Sequence, residues 1–210
     1  MRDPALAAGC AALGLTLPPA VLAALSSYLD LLEKWNRAYN LTAVRERDAM
    51  VTRHLLDSLA ALPHLPAGGS FVDVGTGPGL PGIPLALAAP AHRYCLLDSN
   101  GKKTRFLFQV KTALALANIR IAAERAEDHR PEQPYTGVLS RAFAALPAML
   151  ERCGHLLAPG GAFYAMKAQV GADELAAAEA LGYRATVTAL AVPGLDEQRS
   201  LITLRPETSA

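Results

Sequence analysis

The stretch FVDVGTGPGLPGIPL, residues 71–85, decides how the rest of the chain is read. Apolar residues run up to Asp73, and Gly75, Gly77 and Gly79 then occupy every second position. A short apolar strand, a glycine loop and the helical pattern GIPLALAA form a strand–loop–helix unit. In open α/β sheets such a unit holds a ligand beyond the carboxyl end of its strand. Glycine permits positive φ, and its missing Cβ lets another group lie against the main chain. A tight turn with no ligand is the competing explanation for the same glycines.

The spacing narrows the ligand. Dinucleotide loops read G-x-G-x-x-G and set a pyrophosphate over a helix N-terminus. Here the spacing is G-x-G-x-G, and Pro78 and Pro81 remove amide donors that a phosphate would use. No Lys-Ser or Lys-Thr follows, which excludes a Walker loop. The loop therefore suits a nucleoside without phosphate, S-adenosylmethionine, with Gly75 and Gly77 bordering its methionine and ribose. Asp98 ends the next apolar run, CLLD, about 20 residues on, where a carboxylate accepts ribose hydroxyls. A helix N-cap is the rival role for Asp98.

Outward from the loop the rhythm is strand and helix in turn. RYCLLD, IRIAAE, TGVLSR and AFYAMK read as strands. GKKTRFLFQVKTALALA, LPAMLERCGHLL and DELAAAEALGY read as helices between them. Two closing strands, RATVTALAV and SLITLRP, have no helix between them and are expected to pair antiparallel. This alternation predicts a Rossmann-like α/β fold: a mostly parallel sheet with helices on both faces. Upstream, Val21, Leu22, Leu25, Leu29, Leu32, Trp35 and Tyr39 recur at helical spacing after Pro18 and Pro19. A second helical stretch runs from about Asp48 to Leu62, and ALPHLPAGGS follows as a linker. The reading is a helical appendage over 1–65 and an α/β domain over 66–210.

Composition sets loose bounds. The chain has 210 residues, 51% of them hydrophobic, and a formal net charge of +1. That suffices for one sizeable core, and it neither announces nor excludes a nucleic-acid partner. Cys10, Cys95 and Cys153 are far apart, with no C-x-x-C spacing, which suits a reducing cytoplasm. No metal-ligating cluster stands out, and no apolar run approaches the roughly 20 residues needed to span a bilayer. MRDPALAAGCAALGL resembles a lipoprotein signal only faintly, because Asp3 and Pro4 interrupt the charged start. A cytoplasmic monomer is the expectation.

In a methyltransferase of this fold, the end of the fourth strand faces the transferable methyl. Here it reads VLSRAF, with Arg141 and Phe143. An Asp/Asn-Pro-Pro-aromatic run, as used on exocyclic amines, is absent. Cys153 lies inside the following helix and reads as a buried apolar residue rather than a nucleophile. The site therefore has no dedicated base. An acceptor with a free lone pair, such as guanine N7, needs none, and positioning does most of the work. Arg141 is a candidate to contact cofactor or base and Phe143 to stack on an extruded base; a salt bridge and core packing are their plainer roles. Basic residues gather in the appendage, just after Asp98 (Lys102, Lys103, Arg105, Lys111), and at Arg125 and Arg130.

LLEKWNRAYNLTAV, RHLLDSL, VDVGTGPGLPGIPLAL, LLDSNGKKTRFL, ERAED, SRAFA and FYAMK occur in this order. Together they resemble the bacterial glucose-inhibited division protein B family of small-subunit ribosomal RNA methyltransferases. The resemblance covers nearly the whole chain, from about Tyr28 to Arg205. It implies S-adenosylmethionine-dependent methylation of guanine N7 in a decoding-region hairpin loop of 16S rRNA, with the rRNA or the small ribosomal subunit as partner. It also implies that Gly75 and Leu80 belong to the cofactor loop and that Ala126 and Glu127 flank the adenine. Arg141 would reach cofactor or target, and Arg125 and Arg199 would contact RNA, with Lys102 and Lys103 adding basic surface. Departures are slight: Lys103 stands where arginine is common, and Ala168 where glycine is common. The alternatives are a methyltransferase for a small molecule or protein, and a module that binds S-adenosylmethionine without chemistry.

Overall fold

The computed structural model describes residues 3–207. Seven strands form one sheet: β1 Ser70–Val74, β2 Arg93–Leu97, β3 Ile119–Ala122, β4 Tyr135–Arg141, β5 Leu157–Lys167, β6 Tyr183–Ala189 and β7 Ser200–Pro206. Their order is β3-β2-β1-β4-β5-β7-β6. The first five pair in parallel. β7 runs antiparallel to both β5 and β6, as the missing helix between the last two strands implied. The chain moves outward from β1 to β3 and then returns to β4 on the other side of β1. The strand order therefore reverses between β1 and β4, and ligands of open α/β sheets bind at such a switch point. The glycine loop follows β1 there, and Arg141 ends β4.

The helices are α1 Pro4–Ala12, α2 Pro19–Tyr39, α3 Arg47–Met50, α4 Asp57–Leu59, α5 Gly82–Ala88, α6 Gly101–Ala113, α7 Leu146–Cys153 and α8 Ala172–Ala180. α2 starts on a proline in its first turn and buries Leu22, Leu25, Leu29 and Leu32 on one side. Asn40, at φ 50, ends it in the left-handed region that stops a helix. The second helical stretch differs from expectation. Between α3 and α4 the backbone widens into a π-helical turn, Val51–Leu56. Periodicity cannot show this, because a π turn keeps the same residue types and only shifts their phase.

β1 is buried on both faces. Phe71 joins the core shared with α2, α5 and α6, whereas Val72 and Val74 face the core under α7 and α8. That two-sided burial explains its continuous apolar run. Helices on either side of the boundary expected near residue 65 share the first core: Leu25, Leu29, Leu55 and Leu59 cluster with Ile83, Phe106 and Leu107. A polar tie adds to this packing, since Tyr28 donates its hydroxyl to Pro78 O in the glycine loop at 3.0 Å. The N-terminal layer thus fixes the loop from the side. Among the described residues no helix is long and apolar enough to cross a membrane.

Candidate active site

The amides of the glycine loop are bonded within the protein. Thr76 N–H donates to Leu97 O at 3.1 Å, and Gly79 and Leu80 N–H both donate to Thr76 O at 2.9 Å. Gly77 N–H donates to Asp98 Oδ2 at 2.9 Å and Gly82 N–H to Asp73 Oδ2 at 2.8 Å. A phosphate needs such amides turned outward. The loop therefore fits a ligand held by shape and by side chains, as the two prolines implied. Asp73, fully buried, also accepts from Thr76 Oγ1 at 2.6 Å and so ties the end of β1 to the start of α5. Burial pushes its carboxyl up to about 7, with the bonds from Thr76 and Gly82 opposing.

What lies closest to the glycines is partly the chain itself. Gly75 has φ +64, and a Cβ there would sit 2.5 Å from Phe143 Cδ2. Gly79 has φ +97, and a Cβ there would meet Ile83 Cδ1 at 2.5 Å. Gly79 is thus required by backbone conformation and core packing, and Gly75 by conformation and the Phe143 ring.

Two cavities meet at Gly75. The smaller, about 130 Å³, is lined by Asp98, Arg125, Ala126, Glu127 and Phe143 as well as Gly75. Asp98 Oδ1 accepts from Asn100 N–H at 2.9 Å, and Lys103 Nζ lies 3.4 Å from Oδ2. The cap of α6 is Asn100, whose side chain accepts from Lys102 N–H at 2.9 Å, so the N-cap role falls to Asn100 and not Asp98. Oδ2 already accepts from Gly77 N–H and Lys103 Nζ, so Oδ1 is the oxygen that keeps a lone pair for a further donor such as a hydroxyl.

The larger cavity, about 550 Å³, opens on the other side of Gly75 and is lined by Gly77, Leu80, Arg141, Lys167 and Arg199 together with Thr42, Arg53, His54 and Asp57. Ala142, between Arg141 and Phe143 in the chain, lines the larger cavity. Its φ of 54 is strained for a residue with a Cβ, as often occurs at functional sites. The twist sends Arg141 into the larger cavity and Phe143 into the smaller. Phe143, expected to stack on a target base, therefore stands on the Asp98 side of the loop. Lys102 is exposed on the first turn of α6, outside both cavities.

Charge in the larger cavity is organised around one buried carboxylate. Arg141 Nη1 donates to Asp57 Oδ2 at 2.9 Å and to Arg53 O at 2.8 Å. Arg199 Nε approaches Asp57 Oδ1 at 3.2 Å. Asp57 follows the π turn and His54 lies within it, and both are buried. The widened turn is thus what brings residues of the N-terminal layer against the end of β4.

The sequence model of the rRNA small subunit methyltransferase G family matches residues 21–202. The chain belongs to this family. A relative of that name from Shewanella amazonensis is 54% identical over 181 residues, covering 86% of this chain and 87% of the relative. One from Alkalilimnicola ehrlichii is 52% identical over 200 residues, covering 95% and 90%. Among solved structures, a SAM-dependent methyltransferase from Aquifex aeolicus superposes with a TM-score of 0.59 at 14% identity, covering 79% of this chain and 96% of its own. One from Geobacter sulfurreducens, in complex with S-adenosyl-L-homocysteine, gives 0.58 at 13%, covering 85% and 98%. These likenesses show the fold.

Several residues of this family member went unnoticed in the motif reading: Thr42, His54, Asp57, Lys167 and Glu197. His54 and Asp57 stand in RHLLDSL, but their inward direction depends on the π turn. His54 Nε2 and Thr42 Oγ1 are 2.9 Å apart. Burial, then the Arg141 charge, pushes the imidazole down to about 4 from 6.5, so it is neutral at pH 7. Between pH 4 and 6.5 the unfolded chain binds this proton and the native protein does not, so His54 makes stability fall as pH drops through that window. His54→Gln is expected to remove that fall. The wild-type advantage in unfolding free energy, read from urea titrations, should shrink from pH 7 to pH 5 by at most about 2 kcal/mol. A pH-independent difference would contradict the assignment.

Proposed function

We propose that this enzyme transfers a methyl group from S-adenosylmethionine to guanine N7 in the decoding-region hairpin loop of 16S rRNA. The observation that carries this is the pair of cavities that share Gly75 at the switch point, one lined by the buried carboxylate of Asp98 and one rimmed by arginines. The smaller space, an open cleft, would take part of the adenosine: Asp98 would accept from the ribose hydroxyls, and Ala126 and Glu127 would flank the adenine. Gly75, Gly77 and Leu80 would shape the passage to the larger cavity, whereas Gly79, expected beside the cofactor, lines neither cavity and packs on Ile83. S-adenosylmethionine supplies an electrophilic sulfonium methyl.

The larger cavity offers a proton acceptor little scope. Asp57 is held by two arginines, and His54 is a weak base bonded to Thr42. Guanine N7 carries an in-plane lone pair and loses no proton when it attacks. The chain's own task is to hold the base in line, and Arg141, which lines the larger cavity, would donate to the base edge. Positive side chains suit an RNA backbone. α6 adds to this with Lys102, Lys103, Arg105 and Lys111 and no acidic residue. Three of those cations crowd the positive end of the helix dipole, an unfavourable placement for stability alone. Phe108, 53% exposed, lies one turn after Arg105 and offers a face for an unpaired base. Arg125, exposed at the smaller cleft, and Arg199 would extend the RNA contact.

Two measurements test this reading. Asp98→Ala should weaken S-adenosylmethionine binding by roughly 10- to 100-fold through lost charge-assisted hydrogen bonds; calorimetry showing unchanged affinity would remove Asp98 from the site. Incubation with methyl-labelled cofactor and unmodified small subunits should place label in the rRNA. Label confined to protein or a small molecule would favour the other substrate classes.

A further inference from the structure

Arg53 and Arg199 meet a third charged group at the outer rim of the larger cavity. Glu197 accepts from Arg53 through both oxygens, Oε1 from Nη2 at 2.6 Å and Oε2 from Nη1 at 3.2 Å. The same Oε2 also accepts from Arg199 Nη2 at 3.0 Å. Both arginines line the cavity; Glu197 is not part of its lining. Glu197 belongs to the connection between β6 and β7, residues 190–199, which has no regular structure. That connection is closed by Leu190 N–H donating to Arg199 O at 2.8 Å. It also approaches the π turn: a Cβ on Gly194 would lie 3.5 Å from Thr52 Oγ1.

A two-pronged arginine fork on a carboxylate is the same recognition that arginine gives a phosphate. Glu197 is 48% exposed and the Arg53 side chain 44%, and ion pairs this exposed contribute little to stability. Arg199 is anchored from behind by Asp57, so its fork stays in place when Glu197 leaves. We propose that Arg53 and Arg199 form a phosphate subsite at the rim, and that Glu197 occupies it until an RNA backbone phosphate displaces the carboxylate. The proposal rests on the reading of the substrate as RNA. It gives Glu197 a definite role: it raises the threshold for weakly held RNA, because every backbone phosphate must compete with a tethered anion.

The test uses the full chain and an oligoribonucleotide hairpin with a single-stranded loop, titrated over a range of salt concentrations. Glu197→Gln keeps the side-chain shape and removes the competing charge. It is expected to tighten binding roughly tenfold with little change in the slope of log K against log salt, because the same phosphates are neutralised in both complexes. S-adenosylmethionine affinity, which reports an intact fold, should not move. In Arg53→Gln/Glu197→Gln the gain should vanish. Wild-type affinity in Glu197→Gln would overturn the proposal while leaving wild-type RNA binding, and hence the substrate reading, standing. A gain that persists in the double variant would overturn it too, by placing the effect elsewhere. If the wild-type chain binds no RNA, the substrate reading itself fails and the subsite with it.

Discussion

Asp57→Ala is expected to destabilise the protein by about 3 kcal/mol and to reduce methyl transfer to near background. The carboxylate is 5% exposed and faces Arg141 at 2.9 Å and Arg199 at 3.2 Å. Removing it leaves two guanidinium groups facing each other without their shared counter-charge. The arginines keep side-chain exposures of 20% and 17%. Water therefore reaches them in part, and the loss belongs at the low end of the roughly 3–5 kcal/mol typical of a broken buried pair. Transfer should fall further than stability alone implies, because Arg141 loses the bond that fixes its direction. Asp57→Asn preserves volume and one acceptor, so it should fold better and still transfer slowly. Urea midpoints and single-turnover rates on both variants decide the matter. A loss below about 1 kcal/mol for alanine, the range of exposed pairs, would show that the arginines do not depend on Asp57.

Arg141→Ala should lower the single-turnover rate by roughly 100-fold or more, as removal of a preorganised donor does at other active sites. RNA affinity should change only a few-fold, since Arg53, Arg199 and the basic face of α6 remain. Arg141 ends β4, beside the loop after β1, and the strained Ala142 turns it into the larger cavity. If rate and affinity fell together at every salt concentration, Arg141 would be a phosphate contact and no more.

Much of this arrangement was legible in residues 71–85. Alternating glycines after an apolar strand mark the loop after β1 as the expected ligand site, and the prolines turn that expectation away from phosphate. The amides of Thr76, Gly77, Gly79 and Leu80 prove to be bonded inside the protein. The antiparallel end of the sheet followed from two strands with no helix between them. Other features depend on backbone geometry that residue types do not report. Val51–Leu56 keeps a helical pattern, yet its wider turn is what brings His54 and Asp57 to Arg141. Ala142 at φ 54 separates Arg141 from Phe143, although SRAF presents them two residues apart. Asn100 takes the cap that Asp98 was also fitted for, because the chain turns two residues later than the carboxylate. Long-range ion pairs such as Arg53 with Glu197 leave no local trace at all.

The central claim is the identity of the methylated atom. Small subunits lacking the modification, treated with the protein and S-adenosylmethionine, would have their 16S rRNA reduced with borohydride and cleaved with aniline, chemistry specific for N7-methylguanine. One strong new cleavage is expected, in the decoding-region hairpin loop, and much less of it at matched short times when Arg141→Ala replaces the wild-type protein. Methyl incorporation into the rRNA without that cleavage would contradict it.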